Sequence, residues 1–239
     1  MSGIKKAFVL AGGHGTRLRP FTYEIPKPLL PVKGRPVLEY NLENLKVYGV
    51  EEVVLGVGYK ADLIREYFGD GSKLGLKVDY SLEEEPLGTA GALKLAESFF
   101  DSAFFMCNGD EVKDINYSLM QELHEKNRAT ATLALVEVEN AAEFGSVETE
   151  GDRIVAFREK EGIKKPGVVS AGAYVLEKNI FEFIPAGKKF SIEKDVFPVI
   201  AREKKLFGCR MATQFFPADN PERYEKAIME WKGITGGDK

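Results

Sequence analysis

The chain has 239 residues, of which 44% are hydrophobic and 29% are charged, and its formal net charge is −4 at pH 7. This composition is typical of a globular protein with a sizeable core, and it excludes a disordered or fibrous chain. The acidic balance argues against a general binder of nucleic acid, although a local basic site for a small phosphorylated ligand stays compatible with it.

The cysteines and the N-terminal segment indicate the expected compartment. Cys107 and Cys209 are too few for a disulfide framework, and the apolar run around Cys107 predicts a small buried thiol. A reducing cytoplasm fits best. The N-terminus is charged and then briefly apolar, but glycines follow at once and no run approaches the length of a membrane span. We therefore expect neither export nor membrane insertion.

Short apolar runs alternate with helical periodicity over the first 110 residues. Strands that are almost continuously apolar and are separated by helices indicate a parallel sheet covered by helices on both faces. The predicted fold class is therefore α/β, with a Rossmann-like, mostly parallel sheet. The predicted strands are 5–11, 51–58, 76–83 and 103–110, and the predicted helices are 36–49, 60–69 and 89–100.

After residue 116 the pattern shifts toward paired strands. The segment FGSVETEGDRIVAFREK predicts a hairpin that turns at Glu150, Gly151 and Asp152. There is no internal repeat and no long linker, so a single domain is expected. The other predicted strands are 129–140 and 168–177, and the predicted helices are 117–127, 176–184, 191–204 and 221–233, the last with Pro221 in its first turn.

The segment AGGHGTRLRPFTYEIPKPLLPV, residues 11–32, follows the first strand immediately. In an open parallel sheet, ligands bind beyond the carboxyl ends of the strands, and glycine-rich loops let backbone N–H groups approach phosphate. The segment is neither a Rossmann GxGxxG fingerprint nor a Walker loop. Its prolines exclude a helix and predict an extended, stiff loop. We predict a phosphate site here.

Further motifs follow this loop in a fixed order, namely EEPLGTAGAL, NGD, FREK, SAGAYVL and SIEKDVFP, and the set spans nearly the whole chain. In this order the motifs resemble those of the sugar-1-phosphate nucleotidyltransferases, which join a nucleoside triphosphate to a sugar 1-phosphate and release pyrophosphate. The resemblance implies one domain over 1–239, with a nucleotide-binding part over about 1–115 and a sugar-phosphate-binding part over about 116–239. The β-helix domain of many relatives is not expected.

Such a reaction needs cations and a metal rather than a nucleophilic triad. The attacking phosphate is already anionic, because its second pKa is about 6, and negative charge accumulates on the departing pyrophosphate. The two histidines, His14 and His124, offer no arrangement for nucleophilic catalysis. The substrates are small molecules, the implied cofactor is Mg²⁺, and no nucleic-acid partner is expected. A homo-oligomer is compatible with the sequence, which does not fix the oligomeric state.

The resemblance assigns catalytic roles to a few charged residues. Arg17 and Lys27 match the positions that bind the triphosphate and the leaving group, since Arg17 can fork two phosphate oxygens and Lys27 is a compact charge. Asp110 matches the metal aspartate at the end of a strand. The implied nucleotide-binding residues are Ala11, Gly12, Gly13, Gly15, Thr16, Arg17, Lys27, Glu83, Glu84, Gly88, Thr89, Asn108 and Gly109.

The second metal carboxylate departs from the family pattern. Relatives commonly carry an aspartate shortly before the last helix, and alignment on Pro221 places Pro217 at that position. Proline cannot bind a metal. Asp219 lies two residues further on and is the alternative ligand, although an Asx turn or helix cap explains it equally well.

The acidic run before Gly88 favours guanine. Guanine presents two adjacent N–H donors on its Watson–Crick edge, which one carboxylate accepts as a pair. Glu83 and Glu84 are the carboxylates at this place. EEPLGTAGAL also resembles the guanylyltransferase branch of the family, which makes GDP-mannose or GDP-heptose. The alternative is an enzyme that uses UTP or dTTP.

The sugar side is implied by the resemblance alone. Glu159 and Lys160 match a carboxylate for sugar hydroxyls and an ammonium for the sugar phosphate, and Gly145, Ala171 and Gly172 match positions where the backbone meets the sugar. Mannose 1-phosphate is favoured, with glucose and heptose left open. A regulatory subunit that binds a nucleotide sugar without turning it over is a further alternative, since it would tolerate the loss at position 217.

Overall fold

Strands and short helices alternate along the chain, as the sequence predicts. The computed structural model describes residues 3–142, 144–159 and 165–236. Its strands are β1 (Lys6–Leu10), β2 (Pro31–Val32), β3 (Arg35–Pro36), β4 (Glu52–Val57), β5 (Lys77–Leu82), β6 (Phe104–Asn108), β7 (Glu111–Lys113), β8 (Ala131–Val138), β9 (Gly145–Glu150), β10 (Arg153–Glu159), β11 (Gly167–Leu176), β12 (Leu206–Arg210) and β13 (Phe215–Pro217). Its α-helices are α1 (Val37–Val47), α2 (Ala61–Phe68), α3 (Gly88–Leu95), α4 (Tyr117–Asn127), α5 (Phe197–Arg202) and α6 (Pro221–Glu230).

The chain divides into two compact units, and each is assembled from separate stretches of sequence. The first unit comprises residues 1–86, 107–115 and 213–239, and the second unit comprises residues 87–106 and 116–212. The first unit therefore holds the glycine-rich loop, the NGD motif and the segment FFPADNPE together. The division falls within β6.

In the first unit, β1, β4 and β5 form a parallel sheet in the order β5-β4-β1. Lys6 lies opposite Glu52, and Glu52 lies opposite Lys77 in the next strand. The interior of β1 is fully buried, as expected where a parallel sheet is covered on both faces. The predicted strand–helix alternation is present, and the α/β fold class is confirmed.

The second unit is built mainly from antiparallel strands. Its order is β11-β8-β12-β10-β9, in which β8 and β12 run parallel and the other adjacent pairs run antiparallel. β9 also pairs with β11, where Ser146 lies opposite Val169, so these five strands close on themselves. The hairpin predicted to turn at Gly151 is confirmed as β9 and β10.

Side-chain caps mark the first turns of α4 and α6, two helices that the sequence predicts. The Asn116 side chain accepts a hydrogen bond from Leu119 N at 3.0 Å and begins α4. The Asn220 side chain accepts one from Arg223 N at 2.9 Å and begins α6, with Pro221 in its first turn. Each cap satisfies an N–H group that the helix leaves without an internal partner.

The proline-rich loop and two predicted helices differ from their predicted forms. Instead of an extended loop, the chain forms 3₁₀ turns at Thr16–Leu18, Phe21–Tyr23 and Lys27–Leu29. Prolines exclude a longer helix, yet their φ of about −65° suits a 3₁₀ turn. The predicted helix 176–184 is a 3₁₀ helix, Lys178–Phe183, and the predicted helix 191–204 begins with a π-helical turn, Ile192–Val196, before α5.

An apolar cluster around Trp231, called the Trp231 cluster below, ties the loop to the other stretches of the first unit. Trp231 is fully buried and makes edge-to-face contacts with Tyr40 and Phe216, at centroid distances of 5.5 and 6.3 Å. Leu18 and Leu30 anchor the loop in this cluster. The other buried members are Val32, Val37, Val112, Ala218, Tyr224 and Ala227.

Cys107 and Cys209 are buried and are not joined in a disulfide, and the burial of Cys107 confirms the prediction for that residue. Burial, together with the charge of Asp152, raises the pKa of Cys209 to about 11. Among the described helices, none combines the length and the apolar character that crossing a bilayer requires.

Replacing Trp231 should destabilise the first unit. Trp231→Ala is expected to lower the free energy of unfolding by about 3–5 kcal/mol, because the buried ring loses its contacts and leaves a cavity. Urea unfolding followed by circular dichroism measures the loss. Met229→Ala is the matched control, since Met229 lies nearby and is 73% exposed, and its effect should stay within about 0.5 kcal/mol. Equal losses in both variants would contradict the role given to Trp231.

Candidate active site

The glycine-rich loop leaves the end of β1 and is held against the end of β4 by backbone hydrogen bonds. Ala11 N donates to Gly56 O at 2.8 Å, and Gly12 O accepts from Tyr59 N at 3.2 Å. The loop therefore begins at the carboxyl edge of the parallel sheet. This is the place where the sequence predicts a phosphate site.

Gly12 and Glu83 lie side by side, as the predicted nucleotide site requires. A Cβ atom on Gly12 would lie 2.9 Å from Glu83 Oε1 and 3.2 Å from Gly58 N. Glu83 follows β5, and its N–H donates to Val57 O at 2.8 Å, which extends the sheet by one residue. Glu83 is half-buried, whereas Glu84 is exposed. Of the two candidate carboxylates, Glu83 is the one fixed against the loop.

Gly15 adopts a left-handed backbone conformation, with φ of 61°, at the start of the first 3₁₀ turn. Its carbonyl accepts from Leu18 N at 2.9 Å and from Thr22 Oγ1 at 2.8 Å. A Cβ atom here would lie 2.9 Å from Thr22 Cγ2 and 3.2 Å from Lys27 Cβ. Thr22, only 1% exposed, is a loop-shaping residue that sequence reasoning missed. Gly15 thus lets the chain fold back so that Lys27 returns beside it.

Arg17 and Asp219 form an ion pair that joins the loop to the segment before α6. Arg17 lies in the turn Thr16–Leu18, and its Nη1 is 3.0 Å from Asp219 Oδ2. The other oxygen, Asp219 Oδ1, accepts from Arg223 Nη1 at 3.0 Å. Asp219 does not cap α6, because Asn220 does so. Both carboxylate oxygens of Asp219 are therefore engaged by guanidinium groups.

Lys27 and Asp110 form the central ion pair of this region. Lys27 Nζ lies 2.5 Å from Asp110 Oδ2, and the Lys27 side chain is 9% exposed against 37% for Asp110. Asp110 follows β6 in a turn through Gly109, whose N–H donates to Leu10 O at 2.9 Å. A Cβ atom on Gly109 would lie 2.8 Å from the same oxygen, so this close approach of two strand ends requires glycine.

The charges around Asp110 keep it ionised. Burial opposes the charged carboxylate, but the adjacent Lys27 ammonium and the charge of Lys113 hold the pKa of Asp110 below its ordinary value. The group is therefore a carboxylate at neutral pH. A carboxylate at the end of a strand next to a glycine-rich loop is suited to hold a divalent cation against phosphates.

Glu111 and Lys113 form a second buried ion pair, which sequence reasoning missed. The Lys113 side chain is 0% exposed, and its Nζ lies 3.1 Å from Glu111 Oε2 and donates to Asn108 O at 3.0 Å. Burial and the negative charge of Asp110 raise the pKa of Glu111 above its ordinary value. The positive charge of Lys113 offsets only part of this rise. The alternation in EVK was the available signal, since residues two apart in a strand share a face.

The strand β13 brings the segment FFPADNPE to the NGD motif. β13 pairs antiparallel with β7, so that Phe215 lies opposite Lys113, Phe216 opposite Val112, and Pro217 opposite Glu111. Proline is tolerated here because it ends a short two-stranded ribbon. The ribbon places position 217 opposite Glu111, the residue that follows Asp110 in the chain.

The side chains of the candidate site can hold Mg²⁺ only together with substrate phosphates. Among the residues that the structure describes, no group of three or more carboxylates, imidazoles or thiolates could hold a metal ion. Mg²⁺ is commonly bound by one or two carboxylates together with substrate phosphates. Asp110, ionised and partly exposed, fits that mode. Asp219 fits it poorly because two arginines occupy its oxygens.

In the second unit, Gly88 and Thr89 begin α3 and contact the segment after residue 188. Gly88 has φ of 73°, and a Cβ atom there would lie 2.7 Å from Phe190 O. Thr89 Oγ1 donates to Glu193 Oε2 at 2.6 Å and accepts from Ile192 N at 2.9 Å. These bonds fix the start of α3 to the start of SIEKDVFP. Glu193 was not singled out from the sequence.

The residues expected to bind the sugar phosphate also lie in the second unit. Gly145 and Glu159 are directly opposite each other in the β9–β10 hairpin. Ala171 and Gly172 lie in β11, where the register to β8 shifts between Ser170 and Tyr174, and Gly172 has φ of 61°. The structure thus brings Gly145 and the backbone of Glu159 together. Lys160 lies outside the described residues.

Comparison with known proteins shows the family to which the chain belongs. The family model described as nucleotidyl transferase matches residues 6–232, and the chain therefore belongs to that family. A mannose-1-phosphate guanylyltransferase of Mycobacterium tuberculosis is 40% identical over 222 residues, which are 91% of this chain and 62% of that protein. A D-glycero-alpha-D-manno-heptose 1-phosphate guanylyltransferase of Aneurinibacillus thermoaerophilus is 36% identical over 226 residues, which are 94% of this chain and 97% of that protein.

A solved structure extends the likeness to three dimensions. The crystal structure of HddC from Yersinia pseudotuberculosis has a TM-score of 0.81 and 32% identity, and the match covers 94% of this chain and 98% of that one. The same protein complexed with GMP-PN gives a TM-score of 0.79. The predicted resemblance to the sugar-1-phosphate nucleotidyltransferases, near the guanylyltransferases, is confirmed. The chain spans 62% of the length of the mycobacterial relative, and thus less than two thirds of it.

Gly12→Ala should test the tight packing of the loop. The added methyl group would press on Gly58 N and on Glu83, and we expect a loss of about 1–3 kcal/mol in the free energy of unfolding. Gly13→Ala is the matched control, because nothing lies within 4 Å of a Cβ atom at Gly13, and it should cause no loss and gain up to about 1 kcal/mol. Urea unfolding measures both. Similar losses in the two variants would refute the packing argument.

Proposed function

We propose that this protein transfers the guanylyl group of GTP to a sugar 1-phosphate of manno configuration and releases pyrophosphate. The observation that carries the proposal is the Lys27–Asp110 pair, in which the ammonium lies 2.5 Å from the carboxylate between the glycine-rich loop and the NGD motif. This arrangement supplies a cation for the leaving group and an anion for a metal in one place. Family membership and the similar guanylyltransferases support the same reaction class.

The chemistry suits a site without a general base. An oxygen of the sugar phosphate attacks the α-phosphorus of GTP and forms the new P–O bond, while the bond to the bridging oxygen of the β-phosphate breaks and its electron pair leaves with pyrophosphate. Because the attacking phosphate is already anionic, catalysis consists of positioning two anions and neutralising charge.

Lys27 and Arg17 differ in the role that their surroundings favour. The Lys27 ammonium is almost fully buried and is held by Asp110, so we assign it to the developing charge of pyrophosphate, where low solvent access strengthens its effect. The Arg17 side chain is 55% exposed. Its guanidinium can fork two oxygens of the triphosphate when a substrate replaces Asp219 as its partner.

Asp110 is the residue that we assign to Mg²⁺. Its carboxylate is ionised and follows the strand end that faces the loop. Bound there together with the triphosphate, Mg²⁺ would neutralise phosphate charge and strengthen pyrophosphate as a leaving group. Lys27 then serves two purposes, because it holds the Asp110 carboxylate in place before nucleotide binds and remains beside the phosphates afterwards.

Base choice is assigned to Glu83. A carboxylate can accept the two N–H donors of guanine as a pair, whereas uracil and thymine present one N–H between two carbonyls. Glu83 is fixed beside Gly12 at the start of the loop, and Glu84 is exposed. This placement supports GTP rather than UTP or dTTP.

The sugar is assigned from the similar proteins. The relatives described above are named for mannose 1-phosphate and for D-glycero-alpha-D-manno-heptose 1-phosphate, which share the manno configuration of the ring and differ beyond C5. We therefore propose a manno-configured sugar 1-phosphate, with mannose as the first candidate. Gly145, Ala171 and Gly172 are the backbone positions that we assign to the sugar ring.

The proposal is tested by pyrophosphate release with each of GTP, ATP, UTP and dTTP against mannose, glucose and D-glycero-alpha-D-manno-heptose 1-phosphates in the presence of Mg²⁺. We expect release with GTP and a manno-configured sugar. Release with UTP or dTTP but not with GTP would contradict the role of Glu83. Tight binding of a GDP-sugar without release in any combination would instead identify a regulatory subunit.

Lys27→Met should lower kcat roughly a hundredfold or more, because methionine keeps most of the side-chain volume and removes the charge beside the leaving group. Lys73→Met is the matched control, since Lys73 is an exposed lysine of the same unit, and it should retain full activity. Circular dichroism and thermal unfolding establish that each variant is folded. A folded Lys27→Met protein with unchanged turnover would remove Lys27 from the mechanism.

A further inference from the structure

The ribbon formed by β7 and β13 has two chemically different faces. Val112 is fully buried in the Trp231 cluster, and Phe216 opposite it packs against the same cluster. Because neighbouring side chains along a strand point to opposite faces, Glu111 and Lys113 project from the other face. That face also carries position 217, since directly opposed residues of an antiparallel pair share a face.

Position 217 therefore has Glu111 as its nearest cross-strand neighbour. The Cβ atoms of such a pair lie about 4.5–5.5 Å apart, so side chains at the two positions reach the same space. Position 217 is where the family pattern expects a second metal carboxylate, and here it is Pro217. A carboxylate is nevertheless supplied to this space by the opposite strand.

We propose that Glu111 provides the second carboxylate of the metal site, in place of the one that Pro217 cannot provide. The inference rests on the proposed function, in which Asp110 holds Mg²⁺. Glu111 directly follows Asp110 in the chain and lies at the start of β7, opposite Pro217. Two carboxylates together with phosphate oxygens are a donor set that Mg²⁺ commonly accepts.

The burial of Glu111 is difficult to explain by stability alone. Its side chain is 16% exposed, and its partner Lys113 is fully buried. A buried ion pair often contributes no more to stability than apolar residues of the same size, because both charges lose their hydration. Retaining the pair beside Asp110 is reasonable if the carboxylate binds a cation and Lys113 orients it through Oε2, at 3.1 Å.

Charge balance also explains why Asp219 is a weaker candidate. Its two oxygens contact Arg17 and Arg223, so Arg223 still occupies one of them after the triphosphate has taken Arg17 as its partner. In contrast, Asp110 and Glu111 are balanced by Lys27 and Lys113. A divalent ion adds two positive charges to these neutral ion pairs, and the negative charge of the triphosphate compensates the added charge. Metal affinity should therefore rise strongly when nucleotide is bound.

The test is Mn²⁺ binding, measured by the electron paramagnetic resonance signal of free Mn²⁺ with the 239-residue protein and α,β-methylene-GTP. In this analogue the bond that the reaction cleaves is replaced, so binding is read without turnover. Glu111→Gln should weaken Mn²⁺ binding at least ~10-fold, because loss of a residue that only hydrogen-bonds to a metal ligand already costs that much. Glu51→Gln is the matched control, because Glu51 is an exposed glutamate of the same unit, paired with Lys5. It should bind like the unmodified protein.

Two further variants separate a metal ligand from a structural partner of Lys113. Glu111→Gln/Lys113→Met removes the buried ammonium that would otherwise lack its carboxylate, and it should stay folded and still bind Mn²⁺ weakly. Glu111→Gln/Pro217→Asp returns a carboxylate from the opposite strand and should restore most of the affinity. Unchanged Mn²⁺ binding in Glu111→Gln, or in the Lys113→Met double variant, would overturn the inference.

The outcomes distinguish this inference from the proposed function. If the unmodified protein releases no pyrophosphate with any substrate pair, the proposed function fails, whatever Mn²⁺ does. If it turns over and Asp110→Asn abolishes Mn²⁺ binding while Glu111→Gln does not, only the assignment of Glu111 fails. If it turns over yet holds no Mn²⁺ with the nucleotide analogue, the inference is likewise overturned and the transfer activity stands.

Discussion

A buried ammonium group needs a carboxylate within hydrogen-bonding distance, and the first unit meets this need for Lys27 with Asp110 and for Lys113 with Glu111. The first pair joins the loop that leaves β1 to the turn that follows β6. The second pair lies within β7. These four charges form a fixed electrostatic frame in the first unit. The proposed binding of a triphosphate and a metal depends on this frame.

The frame is held in place by apolar packing behind it. The Trp231 cluster takes Leu18 and Leu30 from the loop, Val112 from β7 and Ala218 from the end of β13. The ribbon of β7 and β13 thus presents Val112 and Phe216 to the cluster and carries Glu111 and Lys113 on its other face. Position 217 is brought to Glu111 by this packing, and so the loss of a carboxylate at one position can be met from the other strand.

Much of the fold could be predicted from the sequence because its signals are local. The helix 117–127 has an asparagine cap, and the turn at Gly151 defines its hairpin. The loop, Lys27 and Asp110 could be found as motifs. The β7–β13 ribbon could not, because each strand has three residues, about a hundred positions separate them, and Pro217 argues against a strand. Burial of Lys113 was harder to predict, since lysine is rarely buried unless paired, and the alternation in EVK indicates only that Glu111 and Lys113 share a face.

Because the chain is synthesised from its N-terminus, the Trp231 cluster can be completed only late in synthesis. Residues 213–239 belong to the first unit, but in the sequence they follow the residues that form the second unit. During synthesis on the ribosome, the loop and NGD would be complete while β13 and α6 were still missing, so Trp231 could not yet close its cluster. A nascent chain stopped before residue 213 should expose Leu18, Leu30 and Val112 to solvent and be prone to aggregation.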